Sequence, residues 1–119
     1  VKYNETSRII EIVHTDALTS ENLHKATDDA MALHQNTGVK QILIDISDMQ
    51  SVENFFDLYD LPKQYAEGGV DRQIQIALVL PKTGEGREAA HFYDDVCNNR
   101  GWLVKNFESR DEAVAWLIT

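Results

Sequence analysis

One cysteine, two prolines and no long apolar run set the first limits on this chain of 119 residues. With Cys97 alone, no internal disulfide can form, and a single free thiol fits a reducing compartment. No apolar stretch approaches the roughly 18 residues of a membrane span, and nothing resembles a signal peptide, so the sequence predicts a cytoplasmic protein. Basic residues are also scarce, 11 against 20 acidic ones, for a net charge of −9. A phosphate backbone is repelled by that balance, and no basic run offsets it, so nucleic acid is not an expected partner. Unassisted docking on an anionic bilayer is opposed for the same reason.

Chemical motifs are absent too. His14, His24, His34 and His91 are scattered, with no His-x-x-x-His and no zinc-site spacing to Cys97, so no metal is expected. There is no Gly-x-Ser-x-Gly elbow. The pairs Asp28–Asp29 and Asp94–Asp95 are sequential neighbours that point in different directions around a helix, which makes them solvated surface rather than a catalytic dyad. The stretch "PKTGEGRE" lacks the Gly-Lys-Ser/Thr of a phosphate loop, and Glu85 would repel a phosphate. A phosphoacceptor receiver needs acidic residues at the end of its first strand, where only Asp16 stands. Cys97 sits on an apolar helical face and reads as a small core residue. No cofactor and no enzymatic activity are expected.

What is present is enough for one core. Hydrophobic residues make up 43% of the chain, and its length favours a single domain over residues 1–119. "RIIEIVH" (8–14) reads as a strand, and the residues before it can pair back as an antiparallel edge across a turn near Asn4–Thr6. Thr19 is the N-cap of a helix whose apolar face holds Leu23, Ala26, Ala30 and Leu33, and Gly38 stops it. "VKQILIDI" (39–46) and "QIQIALVL" (73–80) are strands with consecutive apolar residues, as when both faces are covered. Between them lies an aromatic helix reaching about Tyr65. A third helix carries Ala89, Phe92, Tyr93, Val96 and Cys97, "WLVKNF" is the last strand, and Ser109 with Glu112 opens a final helix. The order ββαβαβαβα predicts an α/β domain with a mostly parallel mixed sheet, an antiparallel edge strand and about four helices.

The phrases "RIIEIVHTDALTSENL", "ILIDISDMQ", "IQIALVL" and "FESRDEAVAWL", in this order, resemble the STAS domains, and most closely the SpoIIAA-like group of small stand-alone proteins. The resemblance covers nearly the whole chain. In anti-sigma-factor antagonists of this type, a serine near the start of the second helix is phosphorylated and blocks docking on a partner. Aligned on the strand phrase, Glu53, Asn54 and Phe55 occupy that place. Asn54 has no hydroxyl, so the usual phosphoserine switch is not expected. The SpoIIAA-like group is also structurally similar to CRAL-TRIO lipid-transfer domains, which implies an apolar ligand or membrane association.

The candidate site is therefore "LIDISDMQSVENFFDLYDL" (43–61) with Tyr65. Ser47 and Ser51 are its hydroxyls. Ser51 reads as the N-cap of the second helix or, alternatively, as a displaced phosphosite facing Glu53 and Asp57. At 100° per residue, Val52, Phe55, Phe56 and Tyr59 share one face, while Leu58, Leu61 and Tyr65 lie nearly opposite. One face must cover the sheet. Either Pro62 bends the helix and turns Leu61 and Tyr65 inward, or an apolar strip stays free for a ligand. Ser47, Ser51, Asn54, Phe55, Leu58, Leu61 and Tyr65 are the expected ligand- or partner-binding residues. The expected function is a non-enzymatic binding or regulatory module for an apolar, lipid-like molecule or a membrane-proximal partner. The alternative is a protein-docking regulator without the usual serine. The sequence is compatible with a monomer or a homodimer.

Overall fold

The structure is a computed structural model that describes residues 1–119. Its elements run β1 (Lys2–Asn4), β2 (Ile9–Val13), β3 (Asp16–Leu18), α1 (Ser20–Thr37), β4 (Gln41–Asp45), β5 (Met49–Val52), α2 (Phe55–Glu67), β6 (Gln75–Val79), α3 (Glu85–Asn99), β7 (Leu103–Phe107) and α4 (Arg110–Ile118). Five strands form the main sheet in the order β1-β2-β4-β6-β7. β1 is antiparallel to β2, and the other neighbours are parallel. The predicted order and the antiparallel edge strand are both found. Two short strands were not predicted: β3 and β5 pair in parallel as a separate two-stranded sheet.

Alternation along the strands divides the interior into two cores. Ile10, Ile12, Ile42, Ile76 and Leu78 face a larger cluster of 24 buried residues beneath α1, α2 and α3. Ile9, Leu43, Ala77 and Val79 face a cluster of six, covered by Ala113 and Leu117 of α4. On that second face Glu11 is only 4% exposed, yet it is charge-paired: Arg110 of α4 binds its carboxylate, and Lys2 Nζ lies 3.5 Å away. A buried carboxylate is tolerable only with such partners.

The helix ends follow their sequence signals with one exception. Thr19 accepts the Asn22 N–H at 3.1 Å, Ser109 accepts the Glu112 N–H at 3.2 Å, and Gly38 closes α1 at φ 72°, in the left-handed region. The exception is Ser51. It is half-buried in β5, and the N-cap of α2 is Asn54, whose Oδ1 accepts the Phe56 N–H at 2.9 Å. The pairing of Val52 with Leu18 holds the chain extended past Ser51 and delays the helix. α3 begins at Glu85, inside "PKTGEGRE". Its first turn lies so close to β5 that a Cβ on Gly86 would stand 2.3 Å from the Met49 carbonyl oxygen. Only glycine fits there.

β7 is one of the two edges of the sheet, opposite the short β1. Asn98 of α3 reaches it with both ends of its amide: Nδ2 donates to Val104 O at 3.1 Å, and Oδ1 accepts the Val104 N–H at 3.4 Å.

Candidate functional site

Between the sheet and its larger helical layer lies an apolar cavity of about 90 Å³. Its walls are built from 23 residues, 20 of them hydrophobic, and none is Asp, Glu, Lys or Arg. Ile12, Ile44, Ile76 and Leu78 supply the sheet side, and Leu23, Leu58 and Leu61 the helix side. The space has a sequence cause. Ala26 and Ala30 of α1 and Ala89 and Ala90 of α3 face it. Alanine at four core-facing positions leaves volume that a leucine would fill. Thr27 adds no polarity, because its hydroxyl donates back to Leu23 O at 2.9 Å.

Three of the seven expected site residues meet at this cavity: Leu58, Leu61 and Tyr65. They do so from the opposite side to the one expected for a free strip. All three are buried, and α2 instead turns Phe56 outward at 78% exposure, with Tyr59 beside it at 47%. Pro62 is buried within an unbroken helix, so the inward face is selected by packing: Phe55 is half-buried against Phe92 of α3 at 5.8 Å. The other four expected residues do not line the cavity. Ser47 is exposed and donates its N–H and Oγ–H to Asp45 Oδ1 at 3.0 and 2.6 Å. Ser51 lies in β5, Asn54 caps α2, and Phe55 stacks on α3.

Apart from the His14 ring, the cavity contains few polar atoms, and they are paired. The Tyr65 and Tyr93 hydroxyls lie 2.8 Å apart. Burial pushes both phenols well above their ordinary range, so both are neutral. Burial pushes the neighbouring Cys97 thiol up to about 12, which makes it a poor nucleophile at neutral pH. His34 joins α1 to the segment before β6. Its Nδ1 lies 2.7 Å from Val39 O, and its Nε2 accepts the Asp71 N–H at 3.2 Å. Only the neutral tautomer with the proton on Nδ1 serves both partners. Periodicity treats His34 as one of four scattered histidines. Its role depends on Asp71, which is 37 residues away.

Over the cavity, α1 and α2 meet along a polar seam. Ser20 Oγ donates to Asp57 Oδ2 at 2.5 Å, and the Ser20 N–H donates to Glu53 Oε2 at 2.9 Å. Gln64 Nε2 reaches Asp28 Oδ1 at 3.4 Å, and Gln35 Nε2 donates to Gly68 O at 2.9 Å. Each such bond contributes roughly 0.5–1.5 kcal/mol net, because water competes for the same groups. His24 Nε2 lies 3.8 Å from Asp57 Oδ1. Serine, aspartate and histidine thus come together, but the carboxylate sits between the other two. In a hydrolase triad the imidazole contacts the hydroxyl.

His14 stands at one end of the cavity, half-buried just beyond β2. Burial, and then the positive chain terminus, hold its pKa below the ordinary 6.5. A depressed value means that its contribution to stability is complete above 6.5 and is lost as pH falls through the lower folded value. Thermal midpoints recorded across that acid range are therefore expected to fall less steeply for His14→Gln than for the parent. Parallel curves would show that His14 is equally solvated in both states.

No three His, Cys, Asp or Glu side chains are grouped to hold a metal ion, and no helix is long and apolar enough to cross a membrane. Comparison with protein-family models, curated proteins and solved structures gives no match.

Proposed function

We propose that the protein is a non-enzymatic binding module of the STAS-like, SpoIIAA-like kind, which takes a small apolar, lipid-like molecule into the cavity between its sheet and the α1–α2 pair. The observation that carries this reading is the cavity itself, about 90 Å³ with 20 hydrophobic residues among the 23 lining it. An engineered apolar cavity of about 150 Å³ in another protein stays dry and binds benzene. A space of 90 Å³ is smaller, so a longer chain enters only as α2 lifts from α1. The seam suits that movement, because its bonds can be exchanged for bonds to water.

Filling the space tests the reading. Ala30 lines the cavity, and Ala30→Leu occupies it from the α1 side. The variant is expected to gain about 0.5–2 kcal/mol in stability, as cavity-filling changes commonly do. It is also expected to lose most of its affinity for an uncharged fluorophore such as N-phenylnaphthylamine. Fluorescence titration of both proteins measures this. Equal binding by both, or none by the parent, sinks the proposal.

A second reading, a protein-docking regulator using the outer side of α2, is favoured by the exposure of Phe56 beside Asn54. It needs no cavity, so Ala30→Leu would leave partner binding intact. The acidic Asp57 and Asp60 on the same helix oppose contact with an anionic bilayer.

A further inference from the structure

His14 also lines a second space. A polar recess of about 310 Å³ lies beside the apolar cavity, and His14, Leu18 and Ala26 line both. Thr15, Asn22, Lys25 and Asp29 line the recess. From the side chains that these two adjacent spaces share we infer the class of the occupant: an amphiphile with one apolar chain in the cavity and an uncharged, hydrogen-bonding head in the recess against His14. This inference rests on the binding reading above and specifies its ligand.

Charge disfavours the other heads. Nothing in the cavity could neutralise a buried ion, since no Lys, Arg, Asp or Glu lines it. In the recess, Lys25 Nζ is already bound to Asp29 Oδ2 at 2.9 Å. An anionic head there meets the Asp29 carboxylate on a chain that carries −9, and a cationic head meets the Lys25 ammonium and the positive terminus at Val1, which also lines the recess. An uncharged head meets neither penalty. His14 provides a matching partner. Only its backbone N–H is engaged, by Asp45 O at 3.1 Å, and both ring nitrogens are left for a ligand. A neutral imidazole presents one donor and one acceptor, and a hydroxyl also presents one of each. The burial that lowers the His14 pKa keeps the ring in that neutral form at neutral pH.

The whole chain titrated with octanol, octanoate and octylammonium at neutral pH tests the inference, with N-phenylnaphthylamine displacement as one readout and the His14 ring resonances as another. Octanol is expected to bind at least tenfold more tightly than either ion and to shift the His14 ring signals. In His14→Phe, the ratio of octanol affinity to fluorophore affinity is expected to fall about tenfold, the scale of one net hydrogen bond. His14→Gln, which keeps a donor and an acceptor, restores part of that ratio and guards against a folding artefact. If octanoate binds as well as octanol, or the ratio is the same in His14→Phe, the head assignment is overturned while the cavity reading stands. If the fluorophore itself does not bind, both are overturned.

Discussion

Trp102→Ala is expected to be the most damaging single substitution in the chain, costing about 3–5 kcal/mol, the usual range for emptying a large aromatic site. The side chain is 2% exposed. It meets Tyr65 edge-on at 5.7 Å and 85°, and the Arg72 guanidinium covers its ring at 4.2 Å. Deleting it removes the edge-on support of Tyr65, one of the residues that line the cavity. Domains of this size have roughly 5–15 kcal/mol of total stability, so a large share would be lost. The expected fall in thermal midpoint is roughly 10–20 °C. Trp102→Phe provides the contrast. It keeps an aromatic edge against Tyr65, and it deletes an indole N–H that has no acceptor within the chain. Its cost is expected to stay at about 1–2 kcal/mol, because removing an unpaired buried donor offsets part of the lost volume. Thermal and urea unfolding of both variants measure the difference. An alanine variant melting within a few degrees of the parent would show that this corner of the core is not structural.

The second large effect is expected at His34. Replacing it with leucine keeps the apolar volume but leaves Val39 O and the Asp71 N–H without their partner. The loss is expected to be roughly 2–4 kcal/mol, since each buried group then bears its own desolvation cost. The damage should be local before it is global. Amide hydrogen exchange at Asp71 is expected to be slow in the parent and fast in the variant, while Leu43 in the centre of the sheet stays protected under native conditions. Loss of protection at both sites together would show that this connection opens only with the whole fold.

The contrast between these residues and the rest of the chain shows what a sequence makes legible. The runs Ile42-Leu43-Ile44 and Ala77-Leu78-Val79 are apolar on consecutive positions because α4 covers one face of the sheet and the other helices cover the second. Periodicity alone exposes that. Caps are equally local, and Thr19, Gly38 and Ser109 all act at the positions their types suggest. What stays hidden is decided by distant partners. Serine and asparagine are both good caps, and the choice of Asn54 over Ser51 follows from a strand pairing with residues 16–18. The two apolar faces of α2 look equivalent in a helical projection. Packing decides between them: Leu58, Leu61 and Tyr65 join the core, while Phe55 meets Phe92 of α3 at its margin. The cavity leaves only a faint trace in the sequence, four alanines on two helices, and nothing local says that they face one another. Nothing local in the sequence marks His14 or Tyr93 as cavity residues, for the same reason.

The amide of Asn98 also bears on how copies of this protein can meet. Wherever a sheet ends, its last strand offers a template on which another chain can extend the hydrogen-bonded array. At Val104 the donor and the acceptor of that template are already occupied by a side chain of the same molecule. The opposite border, β1, is only three residues long. Both margins therefore discourage ribbon growth from one molecule to the next.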